Sequence, residues 1–244
     1  MKRKWQPLRW LAASMFFLYC ALLYVPVQAA KNEEPVTRII LVRHGDTDYN
    51  KEDRYQGAID VPLNAEGLAQ ADLLAAALKD MPIDVFIASP MMRAYVTTEK
   101  CAKAQGMTIA YADKRLQELD YGTWGGRLRK DIAKEQPELT KLWREQPWKM
   151  KFPQGGSLQE LQKRYRAALD DAVKKYPGKT IFIGAHSKGN AALICSLLGI
   201  GLEHYTQLWQ DNTGVNVLEY RNGQWRLVLM NYIGHLDKVY ISGK

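Results

Sequence analysis

Val36-Thr37-Arg38-Ile39-Ile40-Leu41-Val42-Arg43-His44-Gly45-Asp46-Thr47-Asp48-Tyr49-Asn50 is the stretch that decides the fold of this chain. Its apolar, β-rich first half predicts a strand over Val36–Val42, and the abrupt change to Arg43-His44-Gly45 marks the strand's carboxyl end. A second strand signal, Thr180 to Ala185, runs in the same way into His186. Ligands of open α/β sheets bind outside the carboxyl ends of the strands. Two imidazoles there, one with an arginine beside it, point to a phosphate pocket and a histidine nucleophile.

Between these two strands the pattern alternates strand and helix, as in a mostly parallel sheet covered on both faces. Asn64 is an N-cap for a helix with Leu68, Ala71, Leu74, Ala75 and Leu78 at its apolar positions, ending before Pro82. Ile83–Ala88 reads as a strand, Pro90 to Ala104 as a helix with proline in its first turn, and Met107–Tyr111 as a short third strand. Ser157 caps an amphipathic helix to Tyr176, stopped by Pro177-Gly178, and another helix runs from Gly189 to Leu198. Asn222-Gly223 joins Val215–Tyr220 and Trp225–Met230 in a tight hairpin. Residues 127 to 152 are rich in Trp, Lys, Arg and Pro with poor periodicity, so they read as a helical excursion over the active site. The expected fold is an α/β/α sandwich of three layers.

The chain has 244 residues and a net charge of +8, enough length for one catalytic domain over residues 31–244. Residues 1–30 read as a targeting segment: Lys2, Arg3, Lys4 and Arg9 precede an apolar stretch from Trp10 to Val27, with Val27-Gln28-Ala29 at the cleavage position. Export with cleavage is the expectation; the alternative is a membrane anchor formed by residues 10–27. Without residues 1–29 the chain keeps 30 basic against 26 acidic residues. That mild excess suits a small anionic substrate and gives no support to nucleic-acid binding. Cys101 and Cys195 fall inside apolar helices and read as buried free thiols.

Phosphoryl transfer through histidine needs a neutral ring nitrogen aimed at phosphorus, cations around the oxygens, and an acid for the departing oxygen. Arg43, His44 and Arg93 supply the first two requirements, with Gly45 letting backbone approach the anion. The RHGDTDYN octet, Arg54-Tyr55-Gln56-Gly57, Asp60 to Asn64, Ser89-Pro90-Met91-Met92-Arg93-Ala94, Leu116 to Trp124 and Ala185-His186 occur in order at sensible separations. Together they resemble the histidine phosphatase superfamily in its phosphoglycerate mutase-like branch.

That resemblance implies His44 as the phosphohistidine-forming nucleophile, Arg43, Arg93 and His186 as phosphoryl ligands, and Glu118 as proton donor and then acceptor. Asn50, Gln56 and Gly57 would line the pocket, with Thr47 and Ser187 as further substrate contacts. No metal or other cofactor is implied. Asp120, two residues from Glu118, is the competing acid. Gly125, Gly156 and Ser187-Lys188 depart from the family's usual residues, and Lys188 adds a cation at the pocket mouth.

Three other readings compete. Ala185-His186-Ser187-Lys188-Gly189 imitates the nucleophile elbow of serine hydrolases, with Asp211 and His235 in the right chain order; only 57 residues follow Ser187, little room for that fold. A non-catalytic phosphate-binding module would lack the nucleophile or the acid, and both are present. A mutase of this branch carries a longer insertion between the acid and the second histidine than the 67 residues from Leu119 to Ala185. A phosphatase of small phosphomonoesters is the reading that remains. Trp143, Trp148, Lys149 and Lys151 form either a specificity lid or a packed subdomain with snorkelling lysines. His204 and His235 match no motif.

Overall fold

The computed structural model describes residues 35–236, so the targeting or anchor segment of residues 1–30 lies outside the described residues. Six strands, β1 (Thr37–Arg43), β2 (Val85–Ala88), β3 (Tyr111–Ala112), β4 (Thr180–Ala185), β5 (Val215–Arg221) and β6 (Gln224–Tyr232), form one sheet in the order β3-β2-β4-β1-β5-β6. The first four strands of that order run parallel, and β5 and β6 close one side antiparallel.

Alternation along β1 builds two cores. Ile39 and Leu41 join Ile181, Ile183 and the helices α6 (Leu158–Lys175) and α7 (Ser187–Leu198) on one face. Ile40 and Val42 join Phe86, Phe182 and the helices α2 (Ala65–Leu78) and α3 (Met92–Ala104) on the other. Strands buried on both faces are continuously apolar, as these are. The result is the three-layer sandwich with a mostly parallel sheet.

The register places the site. Arg43 pairs with Ala185, and Ala88 pairs with Gly184, so β1, β2 and β4 end side by side. The residues immediately beyond those three ends are His44, Ser89 and His186.

Several boundaries differ from the sequence expectation. The helix after Pro90 starts at Met92, because Asp60 reaches across from another loop and its carboxylate accepts from the Met92 N–H at 2.8 Å. Met107 and Ile109 turn into the smaller core, leaving only Tyr111–Ala112 as β3. The helix expected from Gly189 begins at Ser187, since the Asn190 N–H already donates to the His186 carbonyl at 2.9 Å. A four-residue helix, α1 (Asp48–Lys51), follows the first motif, too short for any periodicity to reveal.

Residues 127–152 form α4 (Arg129–Glu135), α5 (Pro137–Glu145) and a 3-10 turn at Pro147–Lys149. Trp143 is buried edge-on against Tyr121 and Phe152, and Lys151 pairs with Glu160. The tract is therefore a packed subdomain rather than a lid of free aromatic rings. Cys101 and Cys195 are buried and unpaired, and burial pushes their thiols up to about 12 and about 11.

Candidate active site

His44 is 3% exposed, and its Nδ1 lies 2.7 Å from the carbonyl of Gly45. A carbonyl only accepts, so Nδ1 carries the proton and Nε2 presents a bare lone pair. Burial, then Arg93 and Arg43, hold this imidazole well below its usual range, so the ring is neutral at pH 7. The backbone is fixed as firmly: the His44 N–H donates to Ala185 O at 3.1 Å, and Asn212 Nδ2 donates to His44 O at 3.1 Å.

Gly45 meets the first turn of α2: a Cβ there would stand 2.4 Å from the Gly67 carbonyl oxygen. The Gly45 N–H donates to Thr97 Oγ1 at 3.1 Å.

His186 faces His44 with ring centroids 5.2 Å apart and an interplanar angle of 60°. Its Nε2 lies 2.8 Å from Ser89 Oγ, and Ser89 Oγ already accepts from the Met91 N–H at 3.4 Å. The His186 Nδ1 is buried without a partner. Burial, then Arg93 and His44, keep this ring neutral as well.

Two guanidiniums complete the cationic side. Arg93 is fully buried on α3, where Nη1 donates to Ile59 O at 2.9 Å and Nη2 to Gly57 O at 2.8 Å. Arg43 Nη1 donates to Gln210 O at 2.7 Å. Both Nε atoms are buried without a partner. Burial lowers both groups, Arg93 to about 10, and Glu118 opposes the shift in each. Two unmet donors, Arg43 Nε and Arg93 Nε, and the unpartnered His186 Nδ1 belong to groups that cluster about the bare His44 nitrogen. Buried donors left unmet at such a cost call for an acceptor of high charge density.

Glu118 is 8% exposed, with Oε1 accepting from its neighbour Leu119 N–H at 2.8 Å and Oε2 from the Lys188 N–H at 3.1 Å. The first turn of α7 thus steadies the carboxylate. Its backbone is clamped from α6: Arg164 donates to the carbonyls of Arg115 and Glu118 at 2.6 and 2.7 Å and also to that of Gln117. Tyr165 OH donates to Leu116 O at 2.7 Å. Asp120, the competing acid, is exposed and caps a turn through the Gly122 N–H at 2.9 Å.

The remaining expected contacts divide. Thr47 Oγ1 donates its one hydrogen to Gln56 Oε1 at 2.6 Å, lies 3.0 Å from Asn50 Oδ1 and accepts from the Asn50 N–H at 3.2 Å, so Thr47 positions its neighbours. Asn50 is further tied to Asn212 at 3.4 Å. Gly57 orients Arg93 through its carbonyl. Ser187 opens α7 beside Lys188. No hydrolase triad assembles around it: His235 Nε2 lies 2.9 Å from Thr213 Oγ1, and Asp211 accepts from Asn231 at 2.8 Å and Trp209 at 2.8 Å. His204 is exposed beside Gln207. Among the described residues no cluster of three or more His, Cys, Asp or Glu could hold a metal ion.

Ser89, Arg164, Gln210 and Asn212 were not expected to have roles. Ser89 opens the Ser89–Ala94 segment, but only the adjacency of β2 and β4 brings it to His186. Nothing in the sequence of α6 separates Arg164 from Lys163 or Arg166.

Comparison with known proteins agrees with this geometry. The profile of the histidine phosphatase superfamily, branch 1, matches residues 39–233, and the chain belongs to that superfamily. It is 31% identical over 207 residues to phosphoserine phosphatase 1 of Hydrogenobacter thermophilus, covering 85% of this chain and 98% of that protein. It is 30% identical over 188 residues to a probable phosphoglycerate mutase of Yersinia pestis, covering 77% and 87%. Among solved structures, YhfR of Bacillus stearothermophilus superposes with a TM-score of 0.79 at 26% identity, covering 82% of this chain and 99% of that one. A mycobacterial glucosyl-3-phosphoglycerate phosphatase does so with a TM-score of 0.74 at 27% identity, covering 80% and 99%. Phosphatases among these relatives support a phosphatase enzyme.

Proposed function

We propose that this protein hydrolyses small phosphomonoesters through a covalent phosphohistidine on His44. The observation that carries the reading is the bare, neutral Nε2 of His44 set among the buried Nε donors of Arg43 and Arg93 and the buried Nδ1 of His186, none of which has a protein partner. In the first step Nε2 attacks phosphorus, the N–P bond forms, and the P–O bond to the alcohol breaks. Glu118 gives its proton to the leaving alkoxide. In the second step water attacks phosphorus and passes a proton to Glu118, the N–P bond breaks, and inorganic phosphate leaves with His44 neutral again.

The arginine charge stabilises the transition state in the role a divalent ion takes in other phosphoryl-transfer sites, so the reading asks for no metal. Water is the acceptor in this account, in keeping with the short interval between Glu118 and His186. Residues 1–30 would carry the enzyme out of the cytoplasm or anchor it in the membrane, where it would meet phosphomonoesters from outside.

A panel of phosphomonoesters, with release of inorganic phosphate as the readout and phosphoglycerate mutase turnover as the control, tests the proposal. Hydrolysis of several esters with no appreciable mutase turnover is expected. Mutase turnover exceeding hydrolysis would overturn it.

A further inference from the structure

Arg43 is gripped by one short loop. Its N–H donates to Gly214 O at 3.3 Å, its carbonyl accepts from the Thr213 N–H at 3.1 Å, and its Nη1 donates to Gln210 O at 2.7 Å. That last contact is the one hydrogen bond of the guanidinium among the described residues. Where the Gln210 carbonyl stands therefore decides which way the unpartnered Nε of Arg43 points.

What fixes Gln210 lies behind the site. Its side chain is buried against that of Asn216, a fully buried residue of β5. Asn216 Nδ2 donates to Gln210 Oε1 at 2.7 Å, and Gln210 Nε2 donates back to Asn216 Oδ1 at 3.2 Å. The second hydrogens of the two amides go to Leu41 O at 3.0 Å and Trp209 O at 2.9 Å. Asn216 Oδ1 also accepts from the Asn231 N–H at 3.0 Å. Asn231 in turn secures the loop, its Oδ1 accepting from the Asp211 N–H at 2.7 Å.

Asn216 pairs with Leu41 in the β1–β5 register, on the sheet face that Arg43 shares two residues further on. The next pair on that face, Ile39 with Leu218, is wholly apolar. An aliphatic residue at position 216 would fill the same place with no polar group to desolvate. A reciprocal amide pair does what aliphatic packing cannot: every N–H is committed, so the Gln210 side chain, and the carbonyl of its own residue, keep one orientation.

We infer that Asn216 is a positioning residue of the phosphoryl site: paired with Gln210, it holds the Gln210 carbonyl against Arg43 and so aims the guanidinium at the transferred phosphoryl group. The inference rests on the proposed role of Arg43. Asn216 acts through Gln210 and Arg43 and touches no reacting atom. A guanidinium displaced by about 1 Å loses the alignment that makes its hydrogen bonds to phosphate strong.

A double-mutant cycle on the full-length protein, read as calorimetric affinity for inorganic phosphate, separates positioning from packing. Arg43→Ala alone should weaken binding roughly tenfold or more. Asn216→Val alone should weaken it roughly tenfold, but less than about twofold when added to Arg43→Ala, because its effect passes through the arginine. Should Asn216→Val fail to fold, Gln210→Met reads the same cycle, since it leaves the bonds of Asn216 to Leu41 and Asn231 in place. Equal losses from Asn216→Val, or from Gln210→Met, with and without Arg43 would overturn the inference while leaving the role of Arg43 intact. Unchanged phosphate affinity in Arg43→Ala would overturn the proposed role of Arg43, and the inference with it.

Discussion

The two facing imidazoles make the stability of this protein depend on pH in a way that their burial dictates. Both His44 and His186 are held well below the usual imidazole range, by burial first and then by Arg93 and the neighbouring groups. The unfolded chain therefore binds a proton on each as pH falls through about 6.5, while the folded protein does not. The sign follows: the stabilisation is complete above the unfolded value and is lost as pH falls below it. Between about pH 7.5 and about pH 5 each ring that stays neutral costs up to about 2 kcal/mol, or about 4 kcal/mol for the pair. Urea unfolding at half-unit intervals across that range, compared with the His44→Gln, His186→Gln double variant, isolates the pair from the carboxylates. The unmodified protein should lose stability steeply toward acid, and the variant should lose about 4 kcal/mol less. Equal slopes for the two proteins would refute the argument, because the rings would then charge as readily in the fold as outside it.

Other expectations concern packing and positioning. Gly189→Ala puts a Cβ 2.0 Å from the Tyr165 ring, and a loss of about 1–3 kcal/mol in urea unfolding is expected. Arg164→Met removes the clamp on the carbonyls of Arg115, Gln117 and Glu118. It should lower kcat by roughly a hundredfold with a much smaller change in KM, since a misplacement of about 1 Å at Glu118 is enough.

Much of this architecture was legible because the central strands β1, β2 and β4 are buried on both faces. Val36–Val42 and Thr180–Ala185 could be read as strands from continuous apolar runs, and their termini as site positions from the polar residues that follow. The residues brought together by strand order were not legible. Ser89 reaches His186 only because β4 lies between β2 and β1, a crossover that no local pattern encodes. Helix starts were missed by two residues at Met92 and Ser187, where a distant carboxylate and an early turn of hydrogen bonding replaced the local caps. Residues 127–152 resisted reading because Trp143 packs on Tyr121 and Phe152 rather than along a single helical face. Gly45 reads as a place of close approach, and the α2 contact that the fold supplies there is set by a tertiary meeting the local sequence does not show.

Trapping the phosphoenzyme tests the central claim most directly. The full-length protein is incubated with a phosphorus-labelled monoester, quenched in alkali, and mapped by peptide. Acid-labile, alkali-stable label on His44, absent from His44→Ala together with hydrolysis, is the predicted result. Label that persists in His44→Ala, or hydrolysis that survives the loss of His44, would contradict the account.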